Sequence, residues 1–107
     1  MTDVLLVVYR GVDLDEVRAA VGDEDVHFVV ATGLEELRTA FAAGTFDHVV
    51  MGGGLDIETR LAAVREVFRL SAGTTVHLKD RASGPGGYAA FVAAVVTGMA
   101  GYSASPG

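Results

Sequence analysis

His77-Leu78-Lys79-Asp80 gathers three chemistry-bearing side chains at the end of a short apolar run. On a strand, alternate residues share a face, so His77 and Lys79 point one way and Leu78 the other. A histidine exchanges protons near neutral pH, and a partly desolvated lysine can have its ammonium pKa drawn down towards the same range. Asp80 stands where it could orient either one. A polar pair at the end of a strand built for burial costs free energy unless something compensates it. Lys79 is the only lysine in a chain that otherwise uses arginine. Lys79, His77 and Asp80 are thus the candidate catalytic group, in acid–base or charge-stabilising roles. The plainer alternative is a satisfied core histidine beside a lysine that reaches solvent and pairs with Asp80.

Gly52-Gly53-Gly54 is the second such feature. Three glycines between a strand and a helix permit φ > 0 and close backbone approach, and leave the first helical amides free to face an anion. Their spacing matches neither the dinucleotide fingerprint nor the phosphate loop. Asp56 and Glu58 follow at once and would repel an anion unless Arg10 or Arg60 offsets them. The competing reading is a tight turn with Asp56 as N-cap. Tyr9 and Ser83 are expected as secondary contacts to the same ligand. His27 and His48 lie at strand starts, where surface or capping roles are expected, and the adjacent Asp47 and His48 point to opposite faces of their strand. No His, Asp or Glu spacing resembles a metal site, and no cofactor fingerprint occurs, so neither group is expected.

These residues need a scaffold, and the apolar pattern supplies one. Asp3–Tyr9, Val26–Ala31, Phe46–Met51 and Thr74–Lys79 are short β-branched and aliphatic runs, as in strands buried on both faces of a parallel sheet. Between them, Asp13 with Glu16 and Thr32 with Glu35 read as capping boxes opening helices that end at Gly22 and Gly44. A third helix from about Asp56 to Leu70 places Ile57, Leu61, Val64 and Phe68 on one face, and a fourth runs from Tyr88 to about Tyr102. The order βαβαβαβα predicts a three-layer α/β/α sandwich around a four-stranded parallel sheet, with strand order 2-1-3-4. Residues 1–102 form one domain and 103–107 a flexible tail. In such sheets ligands settle beyond the carboxyl ends of the strands where the order reverses, here between the first and third strands.

With that layout the chain resembles a flavodoxin-like domain, most nearly a response-regulator receiver lacking one βα unit. Phe46-Asp47-His48-Val49-Val50-Met51 is similar to the receiver's third strand, and Lys79 falls where receivers keep a lysine after their last strand. Receivers have paired acids where this chain has Tyr9 and Arg10, a phospho-acceptor aspartate where it has Gly52, and a proline where it has Asp80. The resemblance therefore implies the fold without phosphotransfer or Mg²⁺ binding. The segments 52–60 and 75–80 also resemble those of other small α/β proteins, a likeness that implies no activity.

Composition bounds the rest. The chain has 107 residues, half of them apolar, with 14 acidic and 8 basic side chains and no cysteine. That apolar content excludes a disordered chain, and the missing cysteine excludes disulfides and thiolate chemistry. A net charge of −6 argues against nucleic acid, which needs clustered Lys and Arg. Met1-Thr2-Asp3 has no basic flank of a secretory peptide, so a cytoplasmic location is expected. The last helix is apolar nearly all round, too short for a membrane span, and carries Gly86, Ala90, Ala94 and Gly98 at four-residue intervals. It predicts a homodimer through that helix, with packing under the tail as the alternative. Two functions remain open. One is an enzyme or binding protein holding a small anionic or carbonyl-bearing molecule at the carboxyl edge. The other is a degenerate receiver-like module that dimerises or docks without catalysis.

Overall fold

The computed structural model describes residues 1–79 and 87–104, and within the last helix the side chains as far as Thr97. Its elements follow the predicted alternation: β1 (Thr2–Val7), α1 (Leu14–Val21), β2 (Val26–Ala31), α2 (Leu34–Ala43), β3 (His48–Met51), α3 (Ile57–Leu70), β4 (Thr75–Leu78) and α4 (Tyr88–Ala104). The strands form one parallel sheet in the order β2-β1-β3-β4. β1, the most apolar run, sits inside, with Val4, Leu5 and Leu6 fully buried.

Alternation along the strands divides the core in two. Leu5, Val7, Val49 and Met51 face α2 and α3, which contribute Leu37, Ala63 and Val67. Val4, Leu6, Val8 and Val50 face α1 and α4, which contribute Val17, Tyr88 and Val92. The over-apolar α4 finds its cover here, because Phe91, Val95 and Val96 also pack into this second cluster. Its outward positions among the described side chains are Ala90, Ala94 and Thr97. The helix backbone continues to Ala104, two residues past the predicted end, and the remainder of the expected tail, 105–107, lies outside the described residues. Among the described residues, no helix is long and apolar enough to cross a membrane.

Local signals hold at α1 and shift elsewhere. Asp13 accepts the Glu16 amide at 3.2 Å, and Gly22 closes the helix in the left-handed region at φ 69°. At α2 the reciprocal contact belongs to Glu36 rather than Glu35: its carboxylate accepts the Thr32 amide at 2.8 Å and the Thr32 hydroxyl at 3.1 Å. Gly33, not Thr32, occupies the cap position, so the acid that reaches back stands one residue later.

The sequence left the orientation of α3 open. Its apolar face is mostly outward: Ile57, Leu61 and Phe68 are 56%, 52% and 61% exposed. The buried positions are Arg60, Ala63 and Val67. Ala63 lets the helix lie close to the sheet, and the longer side chains are turned aside to one flank.

Candidate functional site

The carboxyl ends of β1 and β3 open into a cleft of about 330 Å³, bounded on the other side by α1 and the start of α4. It lies at the reversal of strand order, where such sheets hold ligands. Its floor is apolar, made by Val8, Val17 and Tyr88. Tyr88 donates its hydroxyl to the Val50 carbonyl at 2.7 Å, and burial pushes the ionisation of that phenol far upward. The ring is therefore a fixed wall rather than an acid or base.

Of the residues singled out from the sequence, Tyr9, Arg10, Gly52, Gly53, Gly54 and Lys79 all line this cleft. Lys79 follows the last residue of β4 and is 2% exposed, so its ammonium group is held inside the protein edge instead of reaching out to solvent. Tyr9 is 60% exposed at the rim, with the Arg10 guanidinium stacked 5.3 Å from its ring centroid. Asp13 and Glu16 line the same cleft, of which Asp13 is already engaged as the α1 cap. The cleft thus carries side chains of both signs, a combination that suits a ligand with both an anionic oxygen and a hydrogen-bond donor.

The glycine run acts differently from the expectation. Gly22 is the one glycine at positive φ among the described residues, so Gly52, Gly53 and Gly54 are not in left-handed conformations. The Gly52 amide is spent on the Val7 carbonyl at 2.8 Å, extending the β1–β3 ladder. Space does not demand glycine at Gly52 or Gly54 either: a Cβ on Gly52 would lie 3.5 Å from Val8 and 3.7 Å from the Tyr88 ring, and one on Gly54 would lie 3.4 Å from the Tyr9 Cβ, all ordinary contacts. Asp56 occupies the α3 cap position, but its side chain makes no cap hydrogen bond.

Two expected members lie elsewhere. Arg60 is 6% exposed, beneath α3, and donates to the Lys79 carbonyl at 2.7 Å. It does not line the cleft; it ties the first turn of α3 to the chain just past β4, and so positions the backbone that carries Lys79. Its Nε is buried without a hydrogen-bond partner among the described residues. His77 does share a face with Lys79, as alternation requires. It sits two residues back along the strand, roughly 6–7 Å away, and is absent from the cleft lining. Its ring instead lies 5.5 Å from that of His48, and both rings approach the Thr75 hydroxyl, at 2.7 Å from His48 Nδ1 and 3.3 Å from His77 Nε2. Partial burial and the neighbouring His48 lower the His77 pKa, in that order. Asp80 and Ser83 fall outside the described residues.

Sequence reasoning passed over this histidine pair, treating His48 as a strand-start residue. The missing information was register: β3 pairs His48 with Thr75 and Val50 with His77, which brings the three side chains onto one face. His27 matches its expected surface placement, exposed and 3.4 Å from the Asp3 carboxylate. Among the described residues no group of three His, Cys, Asp or Glu gathers where it could hold a metal ion. Comparison with models of known protein families, with curated proteins and with solved structures finds no match.

Proposed function

We propose that this protein holds a small anionic or carbonyl-bearing organic molecule in the β1–β3 cleft, with Lys79 as the group that meets its oxygen. The observation that carries this reading is a lysine 2% exposed in the wall of an open cleft at the strand-order reversal. A ligand oxyanion or polarised carbonyl receives a charge-assisted hydrogen bond from such a group, strengthened because water is partly excluded. A volume of about 330 Å³ admits a small metabolite-sized molecule. Arg10 at the rim adds a second cation for an entering anion, and Glu16 offers an acceptor to a hydroxyl or amine on the same ligand.

On this reading Lys79 acts without His77, by charge stabilisation rather than as half of an acid–base pair. The scaffold is that of a shortened receiver-like domain whose carboxyl-edge site has exchanged acids for Tyr9, Arg10 and glycine.

The test is a titration of the isotope-labelled protein with pyruvate, acetate and inorganic phosphate, followed through its amide resonances. The expected result is saturable shifts confined to residues 9–11, 52–54 and 79. Shifts that fail to saturate with all three probes, or that scatter over the surface, overturn the reading.

A further inference from the structure

The uncovered apolar stripe of α3 lies in a definite direction. At about 100° per residue, Ile57, Leu61, Val64 and Phe68 fall in one narrow band of the helix. Glu66 lies on the side of α2, where it receives Arg38 at 3.3 Å. The band is nearly opposite Glu66 on the helical wheel, so it faces away from α2 and out past β4. Among the described residues β4 is an edge strand, paired with β3 alone. Leu78, 41% exposed, shares the face of Val76 that packs on the α2–α3 side and so adjoins the band. One continuous apolar surface therefore runs along the open edge of the sheet.

We propose that a second copy of this chain covers that edge, with the two α3 helices antiparallel across a two-fold axis. Charge selects this occupant. Glu58 and Arg65 are both exposed, lie on the same solvent-side flank of the stripe, and form no ion pair among the described residues. In an antiparallel helix pair, equivalent flanks meet. With the axis near the middle of α3, Ile57 packs against the partner's Phe68 and Glu58 reaches the partner's Arg65, twice over by symmetry. A parallel two-fold pair would turn the two Glu58–Arg65 flanks to opposite sides of the seam and form neither ion pair. Area agrees as well: the exposed parts of Ile57, Leu61, Phe68 and Leu78 amount to roughly 400 Å², the size at which an apolar patch marks an interface. Two such patches with their polar rims reach the ~1,200 Å² of a small specific interface. The contact is isologous and closes on itself, so it yields a dimer and not a filament. It is independent of the ligand cleft, which opens at the carboxyl edge between β1 and β3.

The test is sedimentation equilibrium of the full chain from about 1 to 200 µM, a span over which a specific dimer of moderate affinity dissociates. The expected species has twice the 11.1 kDa chain mass. Leu61→Glu should raise the dissociation constant at least tenfold, with Leu61→Gln as the milder variant if the charged one fails to fold. Glu58→Arg and Arg65→Glu should each weaken the dimer roughly fivefold, the range of exposed ion pairs made twice, and the double exchange should restore it. Ala94→Glu, on the outer face of α4, should leave it intact. A monomer throughout, a dimer indifferent to Leu61→Glu and Leu61→Gln, or charge exchanges that add instead of rescuing would overturn the proposal. So would a dimer that Ala94→Glu breaks.

Discussion

Replacing Tyr88 by Phe separates the wall of the cleft from its chemistry. The ring is 8% exposed, packs between Val8 and the α4 residue Val92, and loses nothing of its shape in the substitution. What is lost is one hydrogen bond of 2.7 Å to the Val50 carbonyl inside the α1–α4 half of the core. A buried bond of this kind contributes about 1 kcal/mol net, and a carbonyl left short of a partner raises the cost towards ~2–3 kcal/mol. For a domain of this size each kcal/mol moves the melting temperature by about 4–8 °C, so Tm should fall by roughly 4–24 °C. Urea unfolding should show a lower midpoint with an unchanged slope, because the surface exposed on unfolding is the same. Affinity for the small-anion probes should stay within about twofold, or ~0.4 kcal/mol, since the hydroxyl is committed to Val50 and not to the cleft. An unchanged Tm would refute the assigned hydrogen bond. A tenfold loss of probe binding with stability retained would refute the assignment of Tyr88 as a wall.

Two further predictions follow from local contacts. Asp13→Ala removes the side-chain cap of α1 and should lower stability by about 1 kcal/mol, read as a shift of the urea midpoint; an unchanged midpoint would show that the cap bond is idle. His77 has a folded-state pKa below its unfolded value, so the unfolded chain binds more protons and stability rises with pH through this window. The contribution is complete above about pH 6.5 and is lost as pH falls towards the lower folded value. Thermal melts taken from about pH 7.5 to 5 should show Tm falling with pH, and His77→Asn should flatten the slope; an equal slope in the variant would remove His77 from the account.

Much of the fold was legible in the sequence because it rests on signals that act locally. The β1 run needs burial on both faces wherever it sits, Asp13 and Gly22 end their helix by backbone chemistry, and right-handed crossovers leave few orders for four parallel strands. The orientation of α3 was not legible because an amphipathic stripe states which residues are alike, not which way the helix is turned. Tertiary packing chose the face of Ala63 and Val67, and put an arginine under the helix to reach the Lys79 carbonyl. The site was legible in place but not in membership. The strand-order reversal located the cleft, and the residues flanking β1 and β3 fell into it. Whether Lys79 would be buried, and whether His77 would join it or His48, depended on register and depth, which no spacing in the chain encodes.

The central claim is that Lys79 meets the oxygen of a ligand bound in the cleft. Lys79→Met keeps most of the side-chain volume and removes the charge, so the comparison of wild type and variant in the same pyruvate and phosphate titrations isolates it. The account predicts at least a tenfold loss of affinity, about 1.4 kcal/mol, with the fold intact by amide spectrum and Tm within a few degrees of wild type. Equal affinity in the variant would contradict it, as would a loss of binding that merely follows a loss of folded protein.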